Sequence, residues 1–481
     1  MNGLFNRDSS VYLILAAFCL LLYAIVWHSA DGGIQFYLLV VAVLPAVVLA
    51  LLDSRHLVPY LIASWAFGPE VRRLFDWAEG HFQPLSLVSL LPLIVSLCLL
   101  IPLLARPASL EGFLKTAARM FLVVLAYGLI LGLAHNGLSS LYDLASYAAP
   151  LLILFYLAAR PINWDDRNYW IRSLSTIAVL VAVYGWVQFL FAPAWDCFWM
   201  KSTGMASIGS PEPLKIRVFS TLNSPGPAAQ FLAAAAAPML MRRNWRGFFG
   251  WAGVLVVLSA LALTEARSEW LMLIATVLVF ILLSGKQRLP AIAGVCGVAF
   301  ALTLLVPYLP GGDKIAARAS SLTSLQKDGS AQARTNMAAL NLSAVAGNPL
   351  GSGLGTDSLG SRLNNSGSVV LDNGYISLFF TFGLAGGLLV VAALWYSGRA
   401  AYAVQKATQS SEWLAPFSCL AVATVAADIL GLASSNVFVG LGGFLTWMLI
   451  GCTFGLGRLP LPRPAAPLRR PDPLVSGGKS R

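Results

Sequence analysis

Charge is scarce in this sequence: only 11% of its 481 residues are Asp, Glu, Lys or Arg, where a soluble domain carries about 25%. So little charge cannot clothe a water-facing surface, which excludes an ordinary soluble fold. Histidine is scarcer still, with four residues, His28, His56, His81 and His135, none in an HxxxH or HExxH spacing. The six cysteines, Cys19, Cys98, Cys197, Cys296, Cys419 and Cys452, contain no CxxC pair. Five of them fall in apolar runs and read as core thiols, and Cys197 has no neighbour in sequence with which to form a disulfide. No metal and no other cofactor is therefore expected. The sequence also lacks an internal repeat of the kind that builds the inverted halves of transporters. No cleavage signal follows the first apolar run, so that run is expected to remain as a span.

What fills the chain instead is apolar: 58% of the residues are hydrophobic. About 20 such residues cross a bilayer as a helix that satisfies its own backbone hydrogen bonds. Candidate spans lie near 11–27, 34–52, 57–68, 84–105, 117–134, 142–159, 173–192, 225–241, 248–264, 268–285, 289–308, 374–396, 414–433 and 437–457. The stretch 57–68 is short, and is either re-entrant or continues obliquely through Gly68-Pro69. The expected fold is an all-α polytopic membrane protein of about 12–14 transmembrane helices, with a large outer loop carrying short helices.

Arginine and lysine set the orientation, because short cytoplasmic loops retain positive charge. Arg106, Lys115 and Arg119; Arg160, Arg167 and Arg172; Arg242, Arg243 and Arg246; Lys286 and Arg288; Arg399 and Lys406; and Arg458, Arg463, Arg469 and Arg470 fall in alternate connections. Those connections are expected in the cytoplasm, with both termini. The net charge of +11 is largely this topology pattern plus a basic Pro-rich tail over 458–481, and argues for a lipid bilayer rather than nucleic acid as partner.

The first unit, residues 1–192, is spans with short connections and little chemistry. In the second, 193–457, the outer segments 193–224 and 309–373 are long and rich in Gly, Ser, Asn and Pro, and loops of that length are usually functional. Within the larger one, Ser330 can cap a helix running through Arg334 to Gly347. The Gly351–Gly355 cluster that follows permits sharp turns and close backbone approach to a ligand. Glu70, Arg72, Arg73 and Asp76 form a further outer cluster, either shaping a site or pairing among themselves.

Arg217, Arg267 and Arg334 all fall on the outer side, against the positive-inside bias. Arg267 has Glu265 and Glu269 beside it as possible ion-pair partners. A lone outer arginine is commonly a snorkelling residue, but guanidinium forks bind phosphate bidentately and stay charged, and a pyrophosphate at the membrane surface needs several of them. Asp372, before the span at 374–396, suits a helix N-cap or a general base held at the bilayer edge.

The order Arg217-Val-Phe-Ser-Thr-Leu-Asn-Ser-Pro225, Leu263-Thr-Glu-Ala-Arg-Ser-Glu-Trp270, Ala333-Arg-Thr335, Asn348-Pro-Leu-Gly-Ser-Gly-Leu-Gly355, Asp372-Asn-Gly-Tyr375 and Phe382-Gly-Leu-Ala-Gly386 resembles the O-antigen ligase and Wzy-type polymerase superfamily over roughly 200–390. The resemblance implies a GT-C-like, metal-independent membrane glycosyltransferase of the bacterial inner membrane with a periplasmic active site. It implies that Arg217, Arg267 and Arg334 grip the undecaprenyl pyrophosphate of a lipid-linked oligosaccharide. Asp372 is then the catalytic base, and Asn223, Glu265, Gly353, Gly355, Asn373 and Tyr375 are substrate-binding residues. A flippase and a chain-length regulator are its expected partners. Ligases of the family commonly carry His where this chain has Asp372, which favours an exopolysaccharide or capsule polymerase over a ligase.

Overall fold

The computed structural model describes residues 33–456, apart from residues 85, 285–291, 295, 298–307, 309, 314–315, 317–341, 344, 357–370 and 372. The expected span at 11–27, most of the one at 289–308, most of the loop helix capped by Ser330, and the basic tail lie outside the described residues. So do Arg334 and Asp372.

The described chain is helical, with no β-strand. Helix α1 is Gly33–Leu51, and α2 is Leu57–Ala78. The alternatives left open for 57–68 resolve as a continuation, since α2 runs through Gly68-Pro69. A Cβ on Gly68 would press on the Pro92 ring at 3.1 Å, so glycine lets the next helix lie close. The expected span 84–105 is not one helix: a 3-10 turn at Leu87–Leu90 leads into α3, Leu91–Leu97, and α4, Leu100–Ala105. Pro102 has no N–H for the Cys98 carbonyl and its ring crowds it, which accounts for the break at Cys98-Leu99.

The long hairpin of α5, Gly112–Asn136, and α6, Ser139–Ala158, turns on Gly137 at φ 62°. Helix α7, Trp164–Phe191, is capped by the Asn163 side chain, which accepts from the Asp165 N–H at 3.1 Å. Then follow α8, Ala194–Thr203; α9, Pro225–Met241; α10, Gly250–Leu263; α11, Arg267–Leu283; α12, Gly374–Thr408; α13, Ala415–Gly431; and α14, Gly440–Gly451. Helix α9 has the bounds expected of it, while α12 runs on past residue 396. Among the described residues six segments are long and apolar enough to cross a membrane, including the broken Leu87–Ala105, and α10, α13 and α14 are shorter apolar helices. This is the architecture of a polytopic membrane protein.

The helix ends gather at two faces. At the basic end, Asp53 meets Arg160 and, at 3.1 Å, Arg106, and Arg242 donates to the Glu412 carbonyl at 2.9 Å. The described basic connections that carry Arg106, Arg160 and Arg242 thus lie at one face. The opposite, loop end carries 192–224, 264–266, 349–356, 371, 373 and 432–439. Between them, α5 packs on α12, α6 on α14, and α13 on both α11 and α12. Helix α9 lies in the middle, its Ala228, Ala229, Ala235 and Ala236 fully buried, because small side chains let membrane helices approach.

Candidate functional site at the loop end

The stretch before α9 is fixed by polar groups from deep in the bundle. Gln188, near the end of α7, presents its side-chain oxygen to the N–H groups of Phe219 at 2.9 Å and Ser220 at 2.8 Å. Ser220 sits at φ 52°, a costly conformation for a non-glycine residue, so this double clamp is needed to hold it. One residue earlier, the Val218 N–H donates to the Leu263 carbonyl at 3.1 Å. The Arg217 Nε then donates to the Thr264 carbonyl at 2.6 Å, and Nη1 to the Ser207 carbonyl at 3.3 Å.

Arg217 therefore lies on the corner between α10 and α11, the corner that contains Glu265 at φ 54° and delivers Arg267 as the first residue of α11. Arg217 and Arg267 thus belong to the same corner, and both side chains are half-buried. Glu269, considered as a partner for Arg267, instead turns inward and is 4% exposed.

The outer cluster proves to be buried. Arg73 is wholly inaccessible and pairs with Glu70 and, at 3.1 Å, with Asp196 of α8. The same guanidinium donates to the Ser220 carbonyl and lies 4.8 Å from the Phe219 ring centroid. Asp196 also accepts from Tyr184 at 2.8 Å and Gln188 at 2.9 Å. Burial pushes its carboxyl above the usual carboxylate range, opposed by Arg73 and these two hydrogen bonds. One guanidinium thus ties α2, α8 and the Arg217 segment together. The sequence showed Arg73 but not Gln188 or Asp196; a glutamine inside an otherwise apolar span was the available sign. Trp199 is 5% exposed and packs with Met200, Ile208, Ile216 and Phe219.

The glycine cluster wedges between helices. The Gly353 N–H donates to the Thr381 carbonyl at 2.9 Å, the Leu354 N–H to the Gly128 carbonyl at 2.9 Å, and the Gly355 N–H to the Asp143 carboxylate at 2.6 Å. Asn136 donates to the carbonyls of Ser352 and Leu354 at 3.0 and 2.8 Å. A Cβ on Gly353 would collide with the backbone of Gly132. Here the close approach that glycine permits is to a neighbouring helix, and it coincides with the break in α12 at Gly383, φ 71°.

Asn373 caps α12, its side-chain oxygen accepting from the Ile376 N–H at 3.2 Å while its amide donates to the Ala433 carbonyl at 3.1 Å. The cap that Asp372 was considered for thus belongs to its neighbour. The Tyr375 hydroxyl donates to the Ile429 carbonyl at 2.6 Å. Asn223 differs: its side-chain oxygen is buried with no hydrogen-bond partner among the described residues, as is the Thr221 hydroxyl. Buried polar atoms of this kind point to a ligand or water that completes them.

Helices α9, α11, α12 and α14 all begin at this end. Their N-termini bring partial positive charge to the face that holds Arg217 and Arg267, which makes it receptive to anions. No curated protein matches the chain. The family model described as O-antigen ligase matches residues 252–391, a segment that includes Arg267, the glycine cluster, Asn373 and Tyr375 but not Arg217. That match supports the resemblance of this polytopic membrane protein to the O-antigen ligase and Wzy superfamily.

Proposed function

We propose that the protein polymerises undecaprenyl-pyrophosphate-linked oligosaccharide repeats into exopolysaccharide, capsule or O-antigen at the periplasmic face of the bacterial inner membrane. The family match supports glycosyl transfer of the O-antigen ligase and polymerase type. The observation that carries the finer reading is the hydrogen bond from Arg217 to the Thr264 carbonyl at 2.6 Å, which sets one guanidinium beside the corner that leads into Arg267. Two fixed cations over converging helix N-termini suit a lipid diphosphate.

In this reading Arg217, Arg267 and Arg334 neutralise charge growing on the departing pyrophosphate. Asp372 accepts the proton of the acceptor hydroxyl as its oxygen attacks the anomeric carbon. The pyrophosphate linkage supplies the driving force. Asn223, with its unsatisfied buried oxygen, receives a hydroxyl or N–H of the substrate. Glu265, Gly353, Gly355, Asn373 and Tyr375 hold the surrounding backbone in place, and a flippase and a chain-length regulator act with the enzyme.

The rival reading, transfer of finished glycan to lipid A core or protein, has the description of the matching family in its favour. Purified protein supplied with a lipid-linked repeat as both donor and acceptor separates the two. A ladder of products longer than one repeat is the expected result, and transfer of glycan only to added lipid A core, with no ladder, assigns a ligase.

A further inference from the structure

Below the loop end, α9, α11, α13 and α14 enclose a small cavity that the glycosyl-transfer reading does not use. Its volume is about 40 Å³, and its polar lining is Gln230, Glu269, Thr276, Thr424, Asp428 and Thr446, with alanine, glycine, leucine and methionine for the rest. That is room for about three waters or one partly hydrated ion. Glu269 lies in the first turn of α11 and Asp428 in the last turn of α13. Both are 4% exposed.

The hydrogen bonding gives the cavity its sign. The Glu269 carboxylate faces the cavity and has no hydrogen bond or ion pair with any described residue. The Thr276 hydroxyl donates to the Met272 carbonyl at 2.8 Å, that of Thr424 to the Leu420 carbonyl at 2.9 Å, and that of Thr446 to the Asp428 carboxylate at 2.8 Å. All three hydroxyl protons are thereby committed, which leaves oxygen lone pairs toward the cavity. Among the described residues no Arg, Lys or His lines it, and the two carboxylates are the only titratable groups in its lining. Two acidic groups in a low-dielectric interior need positive charge from somewhere. Among the described residues no cluster of three or more His, Cys, Asp and Glu side chains exists to hold a divalent metal. Carboxylate, hydroxyl and amide oxygens are hard ligands.

We infer that this cavity is an alkali-cation site, in which one sodium ion binds on the Glu269–Asp428 pair while the second carboxylate keeps a proton. Sodium and protons then compete for the pair. The site joins the helices that begin after Asn223 and at Arg267, so occupancy stiffens the loop end. This inference does not rest on the polymerase reading, and its test needs no glycan.

The experiment is thermal melting of the purified full chain in nanodiscs, in sodium, potassium or N-methylglucamine chloride at equal ionic strength, together with binding of ²²Na⁺ to the same material. Sodium is expected to raise the midpoint by about 3–6 °C over N-methylglucamine when in large excess over its dissociation constant. Bound ²²Na⁺ should be displaced by unlabelled sodium and more weakly by potassium. Its apparent affinity should fall up to about tenfold per pH unit of acidification across the range where the pair titrates. Glu269→Gln and Asp428→Asn should abolish the sodium shift. Equal midpoints in all three salts with no displaceable ²²Na⁺ on the wild-type chain would overturn the inference, whether or not the variants fold. Stabilisation by calcium but not sodium, or unchanged sodium affinity in Glu269→Gln, would overturn it too.

Discussion

Two clusters of buried charge lie near the loop end, and they are neutralised in different ways. Around Arg73 the protein supplies its own counter-charges: one guanidinium, two carboxylates, a tyrosine, a glutamine and a backbone carbonyl close on one another. Around Glu269 and Asp428 no cation among the described residues lines the space, and the partner given to Asp428 is a threonine hydroxyl. A cluster with a cation of its own serves as a frame, because removing that cation leaves the carboxylates buried and unpaired. A cluster left short of positive charge can instead take a ligand from outside. The first fixes the segment that carries Arg217, and the second lies beneath the helix that begins with Arg267.

The comparison breaks most readily at Arg73. Arg73→Ala strands Asp196 and Glu70 and removes a bond to Ser220, at a cost of about 3–5 kcal/mol. The folded monodisperse fraction in fluorescence-detected size exclusion should largely disappear, and adding Asp196→Asn should restore part of it. If Arg73→Ala runs like wild type, the cluster is no frame.

Next in size come the half-buried arginines of the same end. Arg217→Ala and Arg267→Ala should each lower polymer formation on the order of a hundredfold, since a charge stabiliser at a developing anion contributes about 3 kcal/mol. The protein should still be present at normal levels in the membrane. A variant that makes polymer at the wild-type rate removes that arginine from the mechanism.

A smaller effect is expected where the glycine loop meets α5. Gly353→Ala places a methyl against the Gly132 backbone at φ 79°, and overpacking of this kind costs about 1–3 kcal/mol. Its melting temperature should drop, whereas Gly347→Ala, where an added Cβ meets nothing within 4 Å, should melt like wild type. Equal midpoints for the two would mean the wedge is not tight. Smallest of all, Glu269→Gln in sodium-free buffer should leave the midpoint unchanged or raise it by about 1 kcal/mol equivalent, because a neutral amide replaces a carboxylate that is short of counter-charge. A fall of several degrees would place Glu269 with the kind that is paired within the protein.

Most of the helical architecture was legible in the sequence because bilayer helices must be long and apolar, and that pattern survives whatever they pack against. The bounds of α9 follow from Pro225 at its start and the arginines after its end. The break at Cys98-Leu99 was hidden in an unbroken apolar run, although Pro102 held the reason. Continuation of α2 through Pro69 was undecided because the residues after it are charged, and only tertiary partners bury them. At the site, the approach of Arg217 to the α10–α11 corner depends on Gln188 and Asp196, which come from the far end of α7 and from α8. No local pattern links positions so far apart. Glycine spacing at 351–355 was read as close backbone approach to a ligand, whereas the approach seen at Gly353 is to the Gly132 backbone of a neighbouring helix.

The central claim is that Arg217 and Arg267 together hold the diphosphate of a lipid-linked sugar. Binding of undecaprenyl pyrophosphate to the purified wild-type chain and to Arg217→Ala and Arg267→Ala, in nanodiscs at fixed ionic strength, tests it most directly. Each substitution should weaken binding by about tenfold or more, as expected for the loss of a charge-assisted hydrogen bond. Equal affinity in all three proteins would contradict the account.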